Sequence, residues 1–276
     1  MHGRCLPDMS FDLYFLLALA VRMGVAAAFV ITASMITERS GPAIGALVAT
    51  LPISAGPSYV FLALDHDAAF VAAGALASLP MNAATIVMGP VYVTLAQRHG
   101  MALSFAGAIS VWLLGATLVQ LAPWPLAAGI LANAVAIAIC LPLVQRFRVA
   151  KMPLITRRWY DIPLRATLVA TLVATVVTLS GTVGPKISGI IALFPVVFSS
   201  LMLILHPRIG GPATAAVIAN GLWGLIGFGI AIVVLHLVAR QGNAPLALSL
   251  ALATGVTWNL GLWFYGRWTR AKAAGS

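Results

Sequence analysis

The sequence predicts an all-α polytopic membrane protein of nine transmembrane helices, built as an inverted-topology repeat of four plus four helices with a connector helix between them. Three observations predict it. The 276 residues are 61% apolar and only 8% charged, with a mean hydropathy of +1.02, whereas a soluble domain averages about 25% charged residues. Nine apolar runs are separated by short polar breaks, and each run is long enough for a hydrocarbon core of about 30 Å at about 1.5 Å per residue. A phrase also recurs: GPAIGALVATLP begins at Gly41 and GPKISGIIALFP at Gly184.

The first run, 12–37, follows a polar start, MHGRCLPD, read either as an upstream start before Met9 or as a short tail. No A-x-A-like site closes a short apolar region there, so no secretory signal is read. The break TERSGP leads to the run 43–64, DHD to 68–97, QRHG to 101–121, and APWP to 125–145. These breaks carry the Gly, Pro and charged residues expected of turns. The long polar connection QRFRVAKMPLITRRWYDIP follows at 145–163. The runs 163–182, 187–206, 212–239 and 244–266 complete the chain, with HPRIGGP and RQGNAP between the last three. Short alternating segments of the β-barrel kind are absent.

Charge sets the expected orientation. The long connection holds Arg146, Arg148, Lys151, Arg157 and Arg158 against Asp161, and the positive-inside rule places it in the cytoplasm. Counting outward puts Arg39, Arg98, Arg208, Arg267, Arg270 and Lys272 on the same side. Arg4, Lys186, Arg240 and the acids Asp65 and Asp67 fall on the other. The expectation is a multi-pass protein of the inner (cytoplasmic) membrane, N-terminus outside and C-terminus in the cytoplasm. The net charge of +10 is absorbed by these topology signals, and no basic patch with interleaved aromatics points to nucleic acid.

The repeated phrase has fixed neighbours. Arg22 lies 19 residues before Gly41 and Arg165 lies 19 before Gly184, while Pro42–Pro52 and Pro185–Pro195 are both ten apart. Farther on, Asn82 pairs loosely with Asn220, and VWLLG at 111–115 with TWNLG at 257–261. The expected division is a first four-helix repeat at 1–121, a connector helix and cytoplasmic loop at 122–162, and a second four-helix repeat at 163–276. An odd connector turns the second repeat over. Inverted repeats with paired helix interruptions near the bilayer centre are a transporter architecture.

The candidate binding residues follow from that reading. Pro52 and Pro195 each remove a backbone donor inside an apolar run. The freed carbonyls are met either by nearby hydroxyls in a simple kink or by a cavity at a broken helix. Ser54, Ser58 and Tyr59 follow the first proline, Ser199 and Ser200 the second; Asn82 and Asn220 join from the next helices, with Asn133 and Asn259 as further polar groups. An intramembrane asparagine also serves simply as interhelical glue. Arg22 reads either as an attractor of anions or as a side chain that snorkels to the interface. The loop acids Asp65 and Asp67 with His66 are weighed as a weak cation site and as ordinary loop polarity, and no metal site is expected. Cys5 and Cys140 show no metal spacing. No P-loop, H-E-x-x-H, G-x-S-x-G or intramembrane acid pair is present, so neither an enzyme nor a cofactor is expected.

The pattern G-P-x-I-x-x-x-x-A-x-x-P, followed by an asparagine-bearing and then a tryptophan-bearing helix, resembles small four-helix inner-membrane proteins of the GlpM type. The likeness spans about 100 residues of each half. The family's glycine pair is met only approximately, by Gly45 and by Ser188-Gly189. The resemblance implies the membrane architecture and a link to exopolysaccharide production. The expected function is a membrane transporter or exporter of a small solute, an anion being one option, by alternating access. The alternatives are a flippase or accessory factor for lipid-linked envelope polysaccharide, and a non-transporting assembly protein. The partners implied are a small-molecule solute and membrane lipid, with a homo-oligomer left open.

Overall fold

The structure is a computed structural model describing residues 9–39, 55–148 and 158–274. Among these residues the chain forms nine α-helices and no strand: α1 (Met9–Arg39), α2 (Ala55–Asp65), α3 (Ala68–Leu95), α4 (Met101–Leu121), α5 (Leu126–Gln145), α6 (Asp161–Ala192), α7 (Val196–Ile209), α8 (Gly211–Ala239) and α9 (Ala244–Ala274). Seven of them, all but α2 and α7, are long and apolar enough to cross a membrane. The chain is a polytopic helical membrane protein. α2 has 11 residues and α7 has 14; at about 1.5 Å per residue neither spans a core of about 30 Å alone.

The reason lies in the second copy of the repeated phrase. Gly184 adopts φ 74° and ψ 178° inside α6, a conformation open to glycine at little cost. It divides α6 into a long helix, 161–183, and a short one, 185–192. Pro185 starts the short helix, where its missing N–H costs nothing, and the Ser188 hydroxyl donates to the Gly184 carbonyl (2.8 Å). The chain then leaves helical geometry at Leu193–Pro195 and resumes as α7 at Val196. The expected single span at 187–206 is therefore two helical pieces around a three-residue interruption, and the expected loop before it shrinks to one glycine. The first copy of the phrase, with Pro52 and Ser54, lies outside the described residues.

α3 is the most enclosed span: 72% of its apolar window is buried, against 11% for α1. It packs on α8, α4, α5 and α6, while α8 packs on α9 and α1 on α6. Asp67 caps α3, accepting from Phe70 N (2.8 Å). α3 and α8 run antiparallel. Gly211, at the start of α8, lies so close to the Ala96 carbonyl that a Cβ there would sit 1.9 Å from the oxygen. Midway, the Asn82 amide donates to the Leu225 carbonyl (3.0 Å). At the other end His236 Nδ1 donates to the Ala72 carbonyl (2.8 Å).

These contacts define two ends of the bundle. One gathers Ala96–Arg98, Arg148, Asp161 and Arg208, through the Gly211–Ala96 approach and the Arg208–Asp161 pair. The other gathers Asp65, His66, Lys186 and Arg240. There His66 bonds Ser180 (2.8 Å), and Lys186 Nζ donates to the Gln120 and Ala122 carbonyls (2.8 and 3.0 Å). Lys186 thereby places a cation on the carbonyl end of α4, where the helix dipole favours it.

Candidate functional site

The interruption after α6 sits at mid-height. The Phe194 ring meets the Trp112 ring edge-on, with centroids 5.3 Å apart. The Trp112 indole donates to Thr85 Oγ1 (3.2 Å), one turn from Asn82. The proline at 195 thus breaks the helix where α3 crosses α8. Freed polar groups there are met partly by side chains. Ser78 Oγ donates to the Gly189 carbonyl (2.8 Å) and bonds the buried Tyr59 hydroxyl. Ser200 Oγ donates to Val197 (2.8 Å). Ser199 is 2% exposed, and its hydroxyl finds no partner among the described residues. Ser58 is buried nearby on α2.

Asn82 is 1% exposed. Its amide nitrogen donates to Asn133 Oδ1 (2.8 Å) as well as to Leu225, and Asn133 donates onward to the Leu79 and Gly129 carbonyls (2.8 Å each). The Asn82 oxygen has no partner among the described residues. Asn220 does not join this network. It is exposed, exchanging hydrogen bonds with Arg148: Arg148 Nε donates to Asn220 Oδ1 (2.9 Å), and Asn220 Nδ2 donates to the Arg148 carbonyl (3.1 Å).

Arg22 has a partner that neither sequence reading foresaw. Its guanidinium grips the Asp65 carboxylate through both terminal nitrogens, one bond being 2.6 Å. The other side chains of the Asp65–Asp67 loop are also engaged, since His66 stacks on Phe70 at 3.8 Å and Asp67 caps α3. No group of three or more His, Cys, Asp or Glu placed to hold a metal occurs among the described residues.

At the opposite end Arg208 grips Asp161 in the same two-pronged way, one bond being 2.7 Å. Its guanidinium also stands over the Tyr160 ring, 4.9 Å from the centroid. Hydrogen bonding from Arg208 and then Arg158 holds the Tyr160 phenol below its ordinary value. His206, two residues before the arginine, shares a hydrogen bond of 2.8 Å with the buried Tyr92 hydroxyl.

A hollow lies away from Pro195, on the α1, α2, α8 and α9 side of the bundle. It is a groove of about 630 Å³ walled by α1, α2, α8 and α9. Of the candidate binding residues it takes in only Tyr59, whose hydroxyl is already bonded to Ser78. Apart from Ser249 its remaining walls are apolar, with Phe29, Phe61, Phe228 and Leu235 among them. The sequence hides it, because its walls are the same Phe, Leu and Ala residues that face lipid elsewhere.

No family model, curated protein or solved structure matches the chain.

Proposed function

We propose that the chain is a membrane transporter working by alternating access between two inverted four-span repeats, residues 1–121 and 163–276, with 122–162 as connector. The observation that carries this reading is a constant offset of 143 residues joined to an antiparallel crossing. α3 and α8 begin at Ala68 and Gly211, and α4 and α9 at Met101 and Ala244; both intervals equal that between Gly41 and Gly184. Asn82 touches Leu225, again 143 residues on. A residue contacts its own counterpart only beside a two-fold axis.

Packing supports the same register. Gly115 lies against Ala84, and Gly227 lies against Trp258; adding 143 to 84 and 115 gives 227 and 258. Asp65 and Arg208 are also 143 apart, and each lies at the end of a short helix and is paired to a long one, to Arg22 midway along α1 and to Asp161 at the start of α6. In this reading the pairs Arg22–Asp65 and Asp161–Arg208 fasten the outer and inner ends, α2 and α7 complete two interrupted spans, and nine spans result. Basic side chains cluster at the Arg98–Arg208 end, which supports its being cytoplasmic.

Arg22 is paired with Asp65, so it acts as half of an ion pair and not as a bare cation in mid-membrane. The second reading, a flippase for a lipid-linked envelope intermediate, is favoured by the apolar groove. That groove also counts against a purely structural assembly role. Cysteines introduced at Gly41 and Gly184 test the architecture: an impermeant thiol reagent reaches them from opposite sides, and labelling from one side refutes it. Flux through proteoliposomes carrying Pro52→Ala or Pro195→Ala tests transport, with a fall in rate expected; unchanged flux in both refutes a role for the interruptions.

A further inference from the structure

We propose that the groove between α1, α2, α8 and α9 binds the acyl chain of a phosphate-bearing membrane amphiphile, with its headgroup at Arg22. The proposal names the cargo class of the transport reading and rests on that reading only for movement, not for binding. The groove's volume of about 630 Å³ falls in the range of sites that hold organic ligands, about 300–1,000 Å³.

The walls select an apolar occupant. Ser249 brings the one aliphatic hydroxyl of the lining, and it donates to the Pro245 carbonyl (2.9 Å). The Tyr59 hydroxyl is turned to Ser78. A polar solute entering would lose its hydration with nothing to replace it, at a cost of about 1–3 kcal/mol per unmatched group. An acyl chain loses nothing. The rim residues Val25, Phe29, Val60, Leu64 and Leu252 are 44–70% exposed, and α1, α8 and α9 are membrane-spanning in length and composition. The groove therefore opens sideways at a depth where the surrounding medium is lipid hydrocarbon.

One end of the groove is charged. Val25 lies one turn from Arg22, and Leu64 adjoins Asp65. The Arg22 guanidinium stands 5.8 Å from the Phe61 ring centroid, and Phe61 is a wall residue. Arginine carries five N–H donors. Asp65 engages two of them, and the side chain keeps 24% of its surface accessible. Three donors remain for a phosphate oxygen, in the geometry that makes arginine a phosphate binder. Asp65 holds the guanidinium in place and offers an acceptor to a headgroup amine or hydroxyl.

The matching place at the other end of the bundle is closed. Counting back 143 residues, Leu235 becomes Tyr92, and Ala63 corresponds to His206; those two side chains are hydrogen-bonded to each other. Only Leu235 of this matched pair is a wall residue of the groove.

The test uses the full-length protein in phosphatidylglycerol nanodiscs doped with phosphatidylglycerol carrying a mid-chain diazirine. The expected result is photolabelling concentrated on peptides covering 55–64, 228–235 and 248–252. Ala251→Phe, which fills the groove, is expected to lower that labelling at least fivefold while leaving labels near the exposed Leu114 and Leu131 unchanged; Leu252→Phe on the rim serves if the first variant does not fold. Arg22→Gln is expected to lower labelling by this probe and not by the diacylglycerol with the same diazirine chain. Labels spread along α4 and α5 in proportion to exposure, untouched by the filling variants, mean bulk lipid only and overturn the site. Equal effects of Arg22→Gln on both probes overturn the headgroup assignment. Because labelling is read without flux, a failed transport assay leaves this result to stand or fall by itself.

Discussion

Replacing Gly189 by alanine is expected to destabilise the bundle through a single backbone contact. A Cβ at position 189 would lie 2.1 Å from the Gly74 carbonyl oxygen, 2.8 Å from its carbon and 2.9 Å from its Cα. All three are backbone atoms, so no rotamer change relieves them. Ordinary contact begins near 3.4 Å, so the short helix 185–192 and α3 must separate by more than an ångström. Overpacking of this kind costs about 1–3 kcal/mol. The Ser78–Gly189 hydrogen bond stretches with it, and such bonds average about 0.6 kcal/mol inside membranes. Alanine returns up to about 1 kcal/mol of helix propensity, so the net loss is about 1–3 kcal/mol. Gly181, on the exposed face of α6 with nothing within 4 Å of its Cβ position, is the control; Gly181→Ala is expected to be neutral or stabilising by up to about 1 kcal/mol. SDS titration in mixed micelles, followed by tryptophan fluorescence, measures both. Equal stability of the two variants refutes the close approach of α6 to α3 and the position of the interruption that depends on it.

The ion pairs are expected to differ in stability terms. The Arg22 and Asp65 side chains keep 24% and 26% of their surface, so Asp65→Asn costs less than about 1 kcal/mol by the same titration. The exchange of Arg22→Asp with Asp65→Arg is expected to restore flux lost in either single variant. Arg208 and Asp161 keep only 10% and 14%, so Asp161→Asn leaves a poorly solvated cation and moves toward the cost of about 3–5 kcal/mol for halving a buried pair. Asn82→Leu strips the donor from Asn133 Oδ1 and the Leu225 carbonyl and is expected to cost about 1–2 kcal/mol, whereas Asn220→Leu, on the exposed face of α8, costs less.

Much of the architecture was legible because lipid imposes it on composition. The breaks DHD, QRHG and RQGNAP fall where helices end, and Pro195 marks a real interruption, although α3 and α5 run on through Pro80, Pro90 and Pro142, because a membrane helix survives a missing N–H where its neighbours satisfy the freed carbonyl. Other features were not legible, for physical reasons. Gly184 looked like part of a loop because a positive φ leaves no trace in hydropathy. Asp65 looked like loop polarity because its partner, Arg22, lies 43 residues away. Trp112 and Trp258 invite alignment as identical letters; the 143-residue register proposed above matches Trp258 with Gly115 instead, and Gly227 packs on Trp258 as Gly115 packs on Ala84. Packing conserves the summed volume at a contact, not the identity of either side, so the large residue is free to stand on either helix. Asn220 lies on the exposed face of α8, and an asparagine carries no mark in the sequence of the face it occupies.

The reversed polarity of the two ion pairs bears on what they do. If Arg22 and its counterpart region existed to draw an anion toward the centre, both ends would need a cation at the same place, since attraction depends on sign. Instead the short helix ends in an acid at Asp65 and in a base at Arg208, and each finds its opposite on the neighbouring long helix. Coulomb energy is unchanged when the two charges trade places. On the duplication proposed above, divergence between the halves inverts a fastening without weakening it, whereas it would destroy an attractor. Each pair ties a short helix to a long one beside it in the chain's order, Asp65 on α2 to Arg22 on α1 and Arg208 on α7 to Asp161 at the start of α6, so in the proposed transport cycle each would hold its own half together while the halves move.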